Sequence, residues 1–303
     1  MPAFRNAVVT IGTFDGVHLG HQQIIRQLKS EAAENGGETV IITFHPHPRK
    51  IVPGKSEGIS LLNTMEEKIR LLGSHGIDHL VIVPFTTEFS TLTAQQYITE
   101  FLVKKFHPSV LIIGYDHRFG QGRGGNYELL EEMAPAQGFE VKEIPEHILN
   151  TVTISSTRIR NDLKEGKLTE ANQFLGYPYP LSGTVIEGDK RGRTIGFPTA
   201  NIRIDDGEKL VPADGVYAVT LAIGEKENLY RGMMNIGYRP TVGGTRRSVE
   251  VHILNFAEDI YGAELHLKLH HYVRREKKFA SLEELKAQLA ADQEEVIRLL
   301  TDL

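Results

Sequence analysis

Two histidines three residues apart, His18 and His21, close the string Gly12-Thr13-Phe14-Asp15-Gly16-Val17-His18-Leu19-Gly20-His21. On a helical turn, residues three apart share a face, so both imidazoles can address one group. A phosphate suits them. An imidazole N–H can hold charge that builds on a phosphate during displacement, and the free amides of a helix start favour anions. Gly12, Gly16 and Gly20 let a nucleotide approach the backbone closely. A bare histidine pair fits a surface or metal-binding role equally well. The flanking glycines and the strand–turn–helix setting favour phosphate. A second cradle is suggested by Ser155-Ser156-Thr157-Arg158-Ile159-Arg160, where hydroxyls and arginines gather at an expected helix start. Alone, that segment reads better as a helix cap with solvated arginines.

The second half of the chain carries different chemistry. The stretch from Gly188 through Lys190, Arg191, Arg193 and Gly196 to Phe197-Pro198-Thr199-Ala200-Asn201 puts glycines and cations ahead of a strand, where main-chain amides can wrap phosphates. It lacks the GKT or GKS ending of a Walker loop. Thr199 and Asn201 are two apart, so on an extended strand they share a face. A hydroxyl and an amide oxygen form a hard, neutral half-site for Mg²⁺, with ATP phosphates and water completing the shell. In Ser248-Val249-Glu250-Val251-His252, alternation turns the valines to the core and Glu250 and His252 to a cleft. A carboxylate there can take the proton of an attacking alcohol.

The elements that must position these residues follow two rhythms. Short apolar runs at 7–11, 39–44, 79–85, 109–115 and 139–144 alternate with helical patterns. Expected helices start near residue 22, at a capping box Asn63-Thr64-Met65-Glu66, at another box Thr93-Ala94-Gln95-Gln96, and at Ser155 or Ser156. This alternation predicts α/β architecture, a doubly wound parallel sheet. The residues 177–180, Tyr-Pro-Tyr-Pro, are the expected junction. Beyond it, glycine-rich β-like runs at 182–186, 215–223, 230–236, 248–254 and 264–272 predict a small barrel or sandwich. A terminal helix opens at Ser281, with Leu282, Leu285, Leu289, Val296 and Leu299 facing the barrel. The expected domains are 1–176 and 181–303. His266 and His270 are expected on one strand face and His271 on the other.

The 303 residues suffice for two cores. A net charge of −5 gives no general basis for binding nucleic acid or an anionic membrane. With no cysteine there is no disulfide, thiolate nucleophile or cysteine-bound zinc. No apolar run is long enough to span a bilayer, and the start lacks a signal-peptide core. The expectation is a cytoplasmic protein whose partners are small molecules.

The histidine string resembles the signature of the nucleotidylyltransferase superfamily, and over Gly12–His21 the adenylyltransferase module of bacterial bifunctional riboflavin kinase/FAD synthetases. Thr43-Phe44-His45-Pro46-His47-Pro48 and Gly114-Tyr115-Asp116-His117-Arg118-Phe119-Gly120 extend the likeness, although His45 and His117 depart from the common pattern. The resemblance implies that His18 and His21 steady the transferring phosphate. It implies nucleotide contacts at Gly12, Phe14, Gly20, Asp116, Ser156, Thr157 and Arg160. From about residue 181 the chain resembles the riboflavin kinase family, through 194–201, 214–217, 235–241, Glu250-Val251-His252 and Ile260-Tyr261-Gly262. That likeness implies a six-stranded Greek-key barrel, with nucleotide contacts at Gly188, Arg193 and Gly196. It implies Mg²⁺·ATP ligands at Thr199 and Asn201, and Glu250 as base on the ribityl hydroxyl. Arg274 and Glu276 would border the flavin. The implied function is phosphorylation of riboflavin to FMN, then adenylylation of FMN to FAD, with ATP consumed in each step. A flavin-binding regulator, or an adenylyltransferase for another acceptor, are the alternatives.

Overall fold

The structure is a computed structural model. It describes residues 4–52, 58, 60–115, 117–144, 154–188, 191–224, 228–241 and 244–301. The chain divides into two compact units, Met1–Ser156 and Thr157–Leu303.

The first unit is built on a five-stranded sheet, β1 (Val8–Ile11), β2 (Thr39–His45), β3 (His79–Pro84), β4 (Val110–Gly114) and β5 (Glu140–Ile144). The strands are all parallel, in the order β3-β2-β1-β4-β5. The central strands are buried on both faces, as their unbroken apolar runs predict, whereas the edge strands β3 and β5 are half-exposed. One face packs Val9, Ile42 and Leu111 against Phe101 and Phe106. The other packs Val8, Ile41 and Ile112 against Ile25 and Leu28 of α1 (Leu19–Glu34). Burial of each such side chain stabilises by about 1.5–3 kcal/mol.

Strand order reverses between β1 and β4. The crevice at the carboxyl end of these strands is where open α/β sheets bind ligands. The loop from Gly12 to His18 leaves β1 at that point.

One sequence expectation shifts. The capping box of the helix Met65–Ser74 is Thr64 with Glu67, not Asn63 with Glu66. Thr64 Oγ1 accepts from Glu67 N, and Glu67 Oε2 accepts from Thr64 N. The backbone N–H of Asn63 is instead directed at Asp15. The box at Thr93 and Gln96 forms as expected, and its helix continues through a widened turn, Tyr97–Val103, to Phe106.

The second unit is a closed antiparallel barrel of β6 (Tyr179–Ile186), β7 (Ala200–Arg203), β8 (Gly215–Ile223), β9 (Tyr230–Thr241), β10 (Gly244–Ile253) and β11 (Glu264–Arg274), in the order β10-β7-β6-β11-β8-β9. The stretch 177–180 lies inside this unit: Tyr179 opens β6 with a fully buried ring. The preceding helix, Leu168–Leu175, is tied to the barrel, since Asn172 donates to Leu269 O and accepts from Tyr179 N. A bulge between Leu269 and His271 breaks the alternation of β11, so the simple two-face reading of the histidines fails there.

The terminal helix Leu282–Leu299, capped by Ser281, lays Val296, Leu289 and Leu299 over Val216, Ala218 and Met233 on the barrel's outer face. Leu282, expected on that face, is 51% exposed. Among the described residues, no helix is long and apolar enough to cross a membrane.

His270 gives this unit an acid-labile point. Its Nε2 lies 2.8 Å from Thr220 Oγ1. Burial first, then His271 and Lys268, lowers its pKa to about 4. The folded barrel therefore prefers the neutral ring, while the unfolded chain takes up a proton near pH 6.5. The contribution of this residue is complete above about pH 6.5 and is lost as pH falls toward 4. Melting temperature should drop over that window, and His270→Asn should flatten that part of the slope in a pH series of thermal melts.

Candidate active sites

In the first unit the histidine loop is bent by left-handed residues, Phe14 at φ 46°, Gly16 at φ 86° and Val17 at φ 33°. Strain of this kind persists only where the surroundings hold it. Here Asp15 Oδ1 accepts from Leu62 N at 2.8 Å and Asn63 N at 3.4 Å. Ser156 Oγ donates to Asp15 O at 2.9 Å, and Gln22 Nε2 to Val17 O at 3.0 Å.

His18 is the N-cap of α1, its Nδ1 accepting from His21 N at 3.4 Å. That acceptor role puts the ring proton on Nε2, a donor for a phosphate oxygen. The two rings stack with centroids 3.7 Å apart. A Cβ on Gly20 would lie 3.2 Å from His18 Nδ1, and one on Gly12 would lie 3.0 Å from the Phe14 ring, so both glycines make room for the motif's own rings. Phe14 is buried in the core and lies against His21, centroids 5.0 Å apart. Burial, then His18 and Lys68, holds the His21 pKa well below the ordinary histidine value, and among the described residues its buried Nδ1 has no hydrogen-bond partner. The first turn of α1 carries no acidic residue, leaving its positive end open to an anion. Thr157 and Arg160 follow Ser156 in the helix Ser156–Lys164 and fall in the second unit. Asp116 lies outside the described residues.

On the barrel, register assembles the second site. Asn201 of β7 stands opposite Glu250 of β10; Glu250 stands opposite Asn235 of β9, Asn235 opposite Val216 of β8, and Val216 opposite Arg274 of β11. Directly opposed residues share a sheet face, so this row lies on one side of the wall, the side covered by Phe197 and the terminal helix. Glu250 is 6% exposed. Its Oε2 accepts from Thr199 Oγ1 at 3.3 Å and its Oε1 from Ser248 Oγ at 3.1 Å. His252 is buried as well, with Nδ1 2.8 Å from Pro198 O and its ring edge-on to Phe197. The expected cleft face is thus roofed by the 196–199 loop, while Val249 and Val251 are buried as expected.

The loop is shaped by its glycines. Gly196 is left-handed at φ 88°. A Cβ on Gly188 would overlap the Asn201 amide. Arg193 is exposed and reaches Tyr261 OH at 3.3 Å. Arg274 forms a bidentate ion pair with buried Asp292 of the terminal helix, Nε–Oδ1 2.8 Å and Nη2–Oδ2 2.6 Å, and so fixes that helix to β11. The Glu276 carboxylate occupies the space where a Cβ on Gly237 would stand, beside Ser248, the register partner of Gly237. Ser248, two residues before Glu250 on β10, shares its face by alternation, whereas Asn235 reaches Glu250 only through strand pairing.

Among the described residues, no cluster of three or more His, Asp or Glu could hold a metal alone. The donors present, Thr199 Oγ1 and the Asn201 amide beside Glu250, suit a hard cation that brings its remaining oxygens with a nucleotide. The close fit of Gly188 against Asn201 supports the same reading. A methyl group at position 188, as in Gly188→Ala, would push the Asn201 amide aside.

Two family models match along the chain. Residues 1–158 match the family model described as FAD synthetase, and residues 175–300 the one described as riboflavin kinase. A protein named bifunctional riboflavin kinase/FMN adenylyltransferase from Listeria monocytogenes is 42% identical, over 96% of this chain and 91% of its own length. The Escherichia coli K12 protein of the same name is 40% identical, over 95% of this chain and 91% of its own. A crystal structure described as a macrolide-efflux protein from Streptococcus pneumoniae is 34% identical, with a TM-score of 0.86, covering 97% of this chain and 94% of that one. The chain belongs to the bifunctional riboflavin kinase/FMN adenylyltransferase family.

Proposed function

We propose that this chain makes FAD from riboflavin in two ATP-dependent steps, phosphorylation on the barrel and adenylylation at the histidine loop. The observation that carries the reading is that each unit holds its own constellation for phosphate chemistry: the stacked His18 and His21 at a helix start in one, and Glu250 with Thr199 and Asn201 in the other.

In the first step the terminal ribityl hydroxyl of riboflavin attacks the γ-phosphorus of ATP. Glu250 takes the hydroxyl proton, ADP leaves and FMN forms. Thr199 and Asn201 are the residues that would hold Mg²⁺. When bound, the ion neutralises charge on the phosphates of ATP. Glu250 is held by two hydroxyl donors, which aim its carboxylate. Arg274, in the same row as Glu250, and Glu276, beside Gly237, border the flavin.

In the second step an oxygen of the FMN phosphate attacks the α-phosphorus of another ATP. The bond from that phosphorus to the bridging oxygen breaks, and pyrophosphate leaves. His18 Nε2–H and the helix-start amides donate to the phosphate oxygens as charge shifts onto them. His21 enters neutral at pH 7, its ring pressed between His18 and Phe14, and is positioned to donate once the polyanion arrives. The bond of Ser156 to Asp15 O supports a role for Ser156 at the triphosphate. A cytoplasmic setting, which supplies ATP, fits this chemistry.

The direct test is to incubate the full chain with riboflavin and Mg²⁺·ATP and to separate the flavins by chromatography. FMN should appear first and FAD after it. A chain that binds flavin yet returns only riboflavin would refute the reading.

A further inference from the structure

The steps above leave one buried cation of the first unit unused. Lys68 lies in the helix Met65–Ser74 and is 6% exposed. Its Nζ donates to Thr13 O at 2.7 Å, and Thr43 Oγ1 donates to the same oxygen at 3.3 Å. Thr13 is the last residue before the left-handed bend at Phe14, Gly16 and Val17. A β-branched residue at positive φ, as Val17 is, is a costly conformation. On the far side of the bend, the Asp15 carboxylate accepts from Leu62 N and Asn63 N, just ahead of the helix that carries Lys68. One chain segment, 62–68, therefore grips the loop twice, by the Thr13 carbonyl and by the Asp15 side chain.

The choice of lysine for this grip needs its own explanation. A neutral amide could donate to Thr13 O without the several-kcal/mol cost of desolvating a cation. The charge has a use if anions gather at the site. The charged and titratable groups set against His21 are His18 and Lys68, and Asp15 in turn faces Lys68.

We propose that Lys68 is a positioning residue for adenylyl transfer, which clamps the left-handed bend leading to His18 and lends its positive charge to the His18–His21 pair where the reactant phosphates meet. This rests on the reading of His18 and His21 as the phosphate site.

The test uses the full chain with Lys68→Met, Lys68→Gln and Lys68→Arg, and His18→Ala beside them. Lys68→Met removes donor and charge. FAD formation from FMN should slow about 10- to 100-fold, the scale of a misplaced catalytic group, with FMN formation from riboflavin kept. In proton NMR of the ligand-free chain, His21 should titrate at higher pH than in the parent, because a repelling charge is gone. Lys68→Arg should bring that titration back toward the parent. Lys68→Gln keeps a donor for Thr13 O and removes only the charge, so it serves if the methionine variant melts early. Near-parental FAD formation with an unmoved His21 titration, in the methionine or the glutamine chain, overturns the proposal. If His18→Ala keeps FAD formation, the reading of the site fails instead.

Discussion

Glu250→Gln should make no FMN from riboflavin and still convert supplied FMN to FAD. The substitution keeps size and hydrogen-bonding shape while removing the proton acceptor, so the expected loss in kinase kcat is about 10²- to 10⁴-fold. One of the Thr199 and Ser248 hydroxyls can still donate to the remaining amide oxygen while the other turns to accept from the new amide NH₂, and the barrel should melt near the parent temperature. KM for ATP and riboflavin should move little, because the lost interaction acts on the attacking hydroxyl in the transition state. A kcat within threefold of the parent, in steady-state assays with purified protein, would remove Glu250 from the role of base.

The reciprocal variant is His18→Ala. It removes the helix cap, the stacking partner of His21 and the Nε2 donor together. Loss of one preorganised donor to developing charge costs about 10²- to 10³-fold, and the displaced His21 adds to that. The lost cap costs about 1 kcal/mol of stability, so FAD formation is measured with a thermal melt alongside. Riboflavin phosphorylation should be unchanged. With riboflavin as the only flavin supplied, His18→Ala accumulates FMN, whereas Glu250→Gln leaves riboflavin untouched. Mixing the two variants should restore FAD synthesis, since free FMN can pass from one chain to the other.

Much of this layout is legible in the sequence, for physical reasons. Central parallel strands are buried on both faces, so β1, β2 and β4 appear as unbroken apolar runs. The His18–His21 stack follows from helical spacing within one turn. What sequence spacing hides is what strand pairing and long loops bring together. β7 has only four residues and follows a loop, yet its register places Asn201 on Glu250. Asn235 stands opposite Glu250 only because β9 and β10 pair as they do. Lys68 is 55 residues from the Thr13 carbonyl it binds, and no local pattern connects them. At Asn63, two overlapping Ser/Thr/Asn-to-Glu spacings compete for one helix start. Thr64 prevails, while the backbone of Asn63 serves the Asp15 carboxylate.

The account stands on two triphosphates being attacked at different phosphorus atoms. The most direct measurement supplies riboflavin with ATP labelled at the γ- or at the α-phosphate and follows the label into each flavin. The γ-label should enter FMN and be carried on into FAD, and the α-label should enter FAD alone. Label from the α-position in FMN, or FAD that carries no α-label, would contradict it.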